Sequence, residues 1–200
     1  MGGMSRRNLS ASELAEARLV FGDGLDYTRA FVWENTRWPN WVADVGAAMH
    51  RYQRTWNNAV SLGDTCYFPI ALRTAPEVIA SGDLADIGWL MHELTHQWQF
   101  QRMGWRYLWR ALRVQVSDGL QSYNYQAHHP TKADALHAAR AAGRTLRHFN
   151  LEQQGDLARD YYFALKQGQD ASAWEPLVTE FRNVRAIFRN APEPSGPNGA

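Results

Sequence analysis

The stretch "GWLMHELTHQWQFQ", residues 88–101, limits what this chain can fold into more than any other. It lies inside a longer run with helical periodicity. From Asp83 to about Met103, Leu84, Ile87, Leu90, Met91, Leu94 and Trp98 recur three or four residues apart and make one apolar stripe. Gly104 follows as a C-cap. His92 and His96 stand four apart within the run, so a helix stacks both imidazoles on one face, within reach of a single ion. Glu93 is turned away by about 100°. It is badly placed to join the same ligands and well placed to reach a water on the ion's open position. A zinc-bound water has its pKa lowered toward about 7, and a neighbouring carboxylate can then take its proton. This is the H-E-x-x-H arrangement of a catalytic zinc site, with Glu93 as general base. The bland alternative is two surface histidines on an amphipathic helix.

A catalytic zinc takes three protein ligands and keeps one position open. Cys66 is the only cysteine, which excludes a disulfide within the chain and a cysteine-based zinc site. The third ligand must come from elsewhere: Glu152, Asp156, His128, His129, His137 and His148 are the candidates. Glu152 is the choice. It opens "FNLEQQGDLARDYY", a helix that Asn150 caps and that runs to about Lys166. Asp156 lies one turn on, where a carboxylate can accept the free N–H of a ligating imidazole and fix its tautomer. Taken alone, both acids would be read as favouring the positive end of a helix. In "HHP", residues 128–130, adjacent histidines point in different directions, so at most one could serve. Candidate donors to a developing oxyanion are Tyr161 and Tyr162, about two turns beyond Glu152, with Tyr123, Tyr125 and Arg159 behind them.

Around this constellation the chain reads as one domain. Residues 1–9 look disordered. "SASE" places Glu13 three residues after Ser10, a capping box that opens a helix to about Val20. "FGDGLD" breaks it. "YTRAFVWEN" is rich in β-formers and predicts a strand from Tyr27 to about Glu34. Residues 41–55 have helical spacing. "AVSL" and "TCYF" flank "GD", which predicts a strand pair or one bent strand. Residues 70–82 read as loop, 105–116 as a further helix, and "KADALHAARAAGRTLRHF" as mostly helix-forming. A last helix spans about 174–189, and residues 190–200, "NAPEPSGPNGA", form a disordered tail. With no repeat and no linker, residues 10–189 read as a single α+β domain, helix-rich, with a small sheet toward its N-terminal side.

Composition narrows the partners. The balance of 45% hydrophobic and 20% charged residues over 200 positions suits one domain with a substantial core. A net charge of +1 offers no field for nucleic acid or an anionic membrane. No apolar run approaches the roughly 18 residues of a spanning helix. "MGGMSRRNLSASELAEA" lacks the apolar core of a signal peptide. The expectation is a cytoplasmic protein made without a signal peptide, with export by a signal-independent machine left open. Nine tryptophans are many, and Trp89, Trp98, Trp105 and Trp109 lie near the motif. They read as a Trp-rich core; the sharper reading lines a cleft for an extended substrate.

These residues carry a resemblance. "HELTH" with the distant "EQQGD" is similar to the gluzincins, in which the third zinc ligand is a glutamate on a later helix and an acid four residues on supports the ligands. The order of "VFGDGLDYTRAFV", "AVSLGDTCYFP", "LMHELTHQWQFQ" and "FNLEQQGDLARDYY" resembles bacterial Vgr-related zincin-like proteins, found beside type VI secretion or related contractile injection genes, with domain kin in polymorphic toxins. The resemblance covers roughly residues 9–165. It implies a zincin-like fold, zinc held by His92, His96 and Glu152, Glu93 as base, and "AVSLGDTCYF" as an edge strand that binds substrate backbone. Gly155 departs from it, standing where alanine would be expected, and 40–56 is longer than the usual connection. The implied activity is a zinc metallopeptidase acting on a peptide or protein, as a secreted effector or a processing enzyme of a secretion system. The same chemistry on cell-wall peptides is a variant. The alternative class is a non-catalytic zincin-fold adaptor or structural component of such a system.

Overall fold

The computed structural model describes residues 6–41, 57–104, 125–126 and 129–183. One buried carboxylate organises the N-terminal part. The Ser10 hydroxyl accepts from the Glu13 backbone N–H and the Glu13 carboxylate accepts from the Ser10 N–H, so the expected capping box opens α1 (Ala11–Phe21). Glu13 is fully buried and also accepts from Arg7, at 2.7 and 2.9 Å, and from the Thr74 hydroxyl at 2.7 Å. Arg7 reaches Glu34 as well, at 2.8 Å. This anchorage shows residues 6–9 ordered where disorder was expected over 1–9; residues 1–5 lie outside the described residues. Residues 6–8 form strand β1 (Arg6–Asn8), paired antiparallel with β2 (Phe31–Trp33).

The strand expected from Tyr27 begins late for a local reason. The Asp26 side chain accepts from the Thr28 N–H and hydroxyl and winds Tyr27–Arg29 into a 3-10 turn, which leaves only Phe31–Trp33 to pair. The strand pair around "GD" is a hairpin of β3 (Val60–Leu62) and β4 (Thr65–Tyr67), turned at Gly63 with φ of 63°. Strand order is β1-β2-β4-β3, with β2 and β4 parallel and the other pairs antiparallel. Within the loop expected over 70–82, Pro76 starts a short helix, α2 (Pro76–Ala80).

The long helix α3 (Ala85–Met103) is the axis of the fold, and Gly104 caps it as expected. All six residues of the apolar stripe are buried. So are Glu93, Thr95, Gln97 and Gln99, because α3 is enclosed by the sheet, by α1, by α5 (Leu151–Lys166) and by α6 (Glu175–Arg182). The pattern of an amphipathic helix therefore belongs to a central one. Two of its buried polar side chains donate to backbone: the Thr95 hydroxyl to Met91 O, and Gln97 Nε2 to the carbonyls of Phe31 and Asp64, tying α3 to β2 and the hairpin turn.

Helix α5 packs most closely on α3. Gly88 permits the approach: a Cβ there would stand 2.3 Å from the Phe163 ring. Asn150 caps α5, which ends at Lys166 as expected. Between them in sequence, α4 (Lys132–Ala141) accounts for part of the ambiguous "KADALHAARAAGRTLRHF", followed by a 3-10 turn at Leu146–His148. Trp98 is buried against Phe181, Trp89 is partly buried, and Trp41 is 68% exposed, so the described tryptophans do not form one core; Trp105 and Trp109 lie outside the described residues. The architecture is α+β with a small mixed sheet, and among the described residues no helix is long and apolar enough to cross a membrane. Residues 42–55, 105–116, 184–189 and the expected tail 190–200 lie outside the described residues.

Candidate metal centre

α3 and α5 cross so that three ligand-type side chains converge. His92 Nε2 lies 3.2 Å from His96 Nε2 and 3.3 Å from Glu152 Oε2, and His96 Nε2 lies 3.6 Å from Glu152 Oε1. Around a tetrahedral zinc with bonds of about 2.0–2.1 Å, neighbouring ligand atoms stand about 3.3–3.4 Å apart. The three separations lie close to such an edge, the two to Glu152 being made to its two different oxygens. Two imidazole nitrogens and a carboxylate also suit zinc chemically. The group therefore fits a zinc ion on separations and donor types alike, and it is the one cluster among the described residues with ligand atoms all within 4.8 Å.

Each ring is oriented from behind. Asp156 Oδ1 lies 3.0 Å from His92 Nδ1, and Arg159 Nη1 pairs with the same oxygen at 2.9 Å. Asp156 thus stands behind His92, not His96. His96 Nδ1 instead meets Gln99 Oε1 at 2.9 Å. The His92 ring rests against the backbone of α5. A Cβ on Gly155 would stand 2.7 Å from its Cε1 and 2.8 Å from its Nδ1, which is why glycine occupies a position where alanine was expected.

Glu93 leaves the ligand face, as a helix requires. Its Oε2 accepts from the Ser61 hydroxyl at 2.8 Å, and Ser61 also lies 3.0 Å from Glu93 O and 3.1 Å from Cys66 Sγ. A hydroxyl has one hydrogen, and the carboxylate is the strongest of these acceptors. Ser61 sits on β3, the end strand of the sheet among the described residues, so that strand is fastened to Glu93. Cys66 is fully buried, and burial pushes its thiol well above the usual range, as does the charge of Glu93. It is inert there.

The electrostatics couple these groups. Burial opposes a charged His92, yet its hydrogen bonds to Asp156 and Glu152 push it up to about 10. His96 is raised against its burial by Glu152. Burial alone would raise the Glu152 carboxyl, but His96 and His92 hold it well below the usual range.

Other expected residues are not brought to this centre. Tyr161 and Tyr162 are corrected as oxyanion donors. Tyr161 lies nine residues beyond Glu152, about 180° around the helix, and its hydroxyl donates to Glu175 while Tyr162's donates to Glu16. Tyr125 donates to Asp160. Among the rival third ligands, His129, His137 and His148 are exposed, and His148 Nδ1 serves the turn at Thr145. His128 and Tyr123 lie outside the described residues. Sequence reasoning missed Gln99 and Ser61; a glutamine three residues after a ligating histidine, on the same helix face, was the one available signal.

No protein-family model matches the chain. The type VI secretion system spike protein VgrG2b of Pseudomonas aeruginosa is 28% identical over 170 residues, which cover 84% of this chain and 14% of VgrG2b. The chain thus spans a small fraction of the length of that curated relative. Among solved structures, the effector domain of Pseudomonas aeruginosa VgrG2b is similar, with a TM-score of 0.57, 26% sequence identity, and coverage of 88% of each chain. Both comparisons indicate homology to one domain, an effector domain of a type VI secretion system.

Proposed function

We propose that this chain is a zinc-dependent peptidase domain with a zincin-like fold that serves a type VI secretion system as an effector or processing enzyme. The observation that carries the reading is the separation of the His92, His96 and Glu152 ligand atoms, 3.2, 3.3 and 3.6 Å, with Glu93 beside them on α3. Zinc bound there supplies a Lewis acid and lowers the pKa of a coordinated water toward about 7. His92, His96 and Glu152 hold the ion, and Asp156 strengthens His92 by accepting its Nδ1 hydrogen. Glu93, oriented through Oε2 by Ser61, takes a proton from the water that attacks the peptide carbonyl and passes it to the leaving amine. β3 lies at the sheet margin and carries Ser61, so an extended peptide aligned along it lies beside the general base. A purely structural ion site requires no such base, which favours chemistry over an adaptor role. Similarity to an effector domain supports delivery by the secretion machine.

Elemental analysis of the purified protein, paired with cleavage of an unbiased peptide library, tests the reading. One zinc per chain and cleavage that Glu93→Gln abolishes while retaining zinc are the expected results. A metal-free protein, or a Glu93→Gln variant that cleaves at the wild-type rate, refutes it.

A further inference from the structure

Gln99 and Gln154 are both buried, and their amides form a chain whose direction is set at its far end. Gln154 Nε2 faces two backbone carbonyls, at 3.1 Å from Leu146 O and 2.9 Å from Phe149 O. Only an NH₂ group can face two carbonyls, so the nitrogen of this amide is fixed at that end and its oxygen at the other. Gln154 Oε1 then accepts from Gln99 Nε2 at 2.9 Å, and the same nitrogen donates its second hydrogen to Leu151 O at 3.0 Å. Both hydrogens of Gln99 are engaged. What remains is Oε1, an acceptor only, 2.9 Å from His96 Nδ1. That ring nitrogen must carry a hydrogen. A neutral His96 therefore keeps its lone pair on Nε2, the atom 3.2 Å from His92 Nε2.

We infer that Gln99, itself held by Gln154, is a positioning residue for the metal centre. The two amides set the tautomer of His96 and tie it to the carbonyls of Leu146, Phe149 and Leu151, where α5 begins. The inference rests on the proposed reading of His92, His96 and Glu152 as ligands. The bonds that prepare His96 on α3 also fix the start of the helix that carries Glu152. The two rings are held by different chemistry: His92 by the carboxylate of Asp156, and His96 by a neutral amide that cannot flip without leaving Leu151 O and Gln154 Oε1 without a donor.

Zinc competition against a chromophoric chelator, with melting of the metal-free protein, tests this on wild type, Gln99→Met and Gln99→Glu. Methionine keeps the bulk and removes the strong acceptor from His96. Glutamate keeps that acceptor but has no hydrogens for Leu151 O and Gln154 Oε1. Gln99→Met is expected to weaken zinc by about 10–100-fold. Gln99→Glu is expected to melt at least as low as Gln99→Met, yet to hold zinc within a few-fold of wild type. In zinc-loaded wild type, a ¹H–¹⁵N spectrum should show the His96 Nδ1–H protected from exchange. Affinities that fall in step with melting temperature in both variants make Gln99 a packing residue and overturn the inference, as does a Gln99→Met variant with wild-type affinity. If neither variant folds, the wild-type spectrum decides, and a His96 without a protected Nδ1–H overturns it. A wild-type protein that binds no zinc removes the ligand reading itself, and this inference with it.

Discussion

Asp156 accepts from His92 across the α3–α5 interface, its Oδ1 3.0 Å from the ring Nδ1, while Glu152 faces the same ring's Nε2 one turn earlier on α5. One helix thus offers a carboxylate to each side of one imidazole. The four-residue spacing of the two acids makes this possible, since it returns the side chain to nearly the same face. Arg159 pairs with the same Asp156 oxygen and holds it in place.

Removing Asp156 should therefore weaken zinc without removing the site. Asp156→Ala is expected to lower zinc affinity by about 10–100-fold. Asp156→Asn retains an oxygen for His92 Nδ1 and should cost less than the alanine. A chelator competition series on the two variants checks the order. Unchanged affinity with a small drop in melting temperature would reduce Asp156 to a helix-end charge.

Gly155→Ala should damage the same ring sterically. The added methyl would stand 2.7–2.9 Å from three atoms of the His92 ring, which its hydrogen bond to Asp156 keeps from retreating. Overpacking of this kind costs about 1–3 kcal/mol, and the displaced ring should bind zinc more weakly than wild type. Urea denaturation and zinc titration of the variant measure both effects. A variant as stable as wild type with unaltered zinc affinity would show that the ring has room the structure denies it.

The parts of this molecule legible in the sequence are those set by local spacing. Ser10 and Glu13, Asn150 and Gln153, Gly104 after α3, and the His92–His96 pair each depend on neighbours within four residues. The rest depends on contacts distant in sequence. β1 exists because Arg7 finds Glu34, 27 residues on, and Glu13 finds Thr74, 61 residues on. Gln99 reads as an ordinary polar helix residue until Gln154 and Leu151 O are placed against it. Gly155 reads as a weak helix former until His92 is laid on it. Tyr161 could have been rejected as an oxyanion donor from the helical angle alone, which proximity in sequence concealed.

Glu13 should make folding acid-sensitive. Burial would raise its carboxyl, but Arg7, the Ser10 N–H and Thr74 together hold it below the usual carboxylate range. A depressed folded pKa gives a contribution that is complete above the unfolded value of about 4.3 and is lost as pH falls through the folded value. Breaking a buried pair costs about 3–5 kcal/mol. The Arg7 side chain is 31% exposed and keeps Glu34, which puts Glu13→Gln at the lower end or below, about 2–3 kcal/mol. Denaturation between pH 3 and 7 should show wild type losing stability below about pH 4.3 more steeply than Glu13→Gln. Parallel curves would remove Glu13 from the acid response.

Zinc and protons should compete for His92. In the metal-free protein its hydrogen bonds to Asp156 and Glu152, working against burial, push it up to about 10. A raised folded pKa means that the proton stabilises the metal-free fold fully below the unfolded value of about 6.5, and that this contribution is lost as pH rises through about 10. An imidazole must be neutral to hold a metal, so near pH 7 zinc has to displace this proton. The apparent zinc affinity should then rise with pH, about tenfold per unit for each proton displaced. Calorimetric titration at pH 7 in buffers of different ionisation enthalpy counts the protons directly, and at least one released per zinc is expected. A titration in which the heat does not depend on the buffer would mean that His92 is already neutral in the metal-free protein. The carboxylates of Asp156 and Glu152 would then not raise its affinity for a proton.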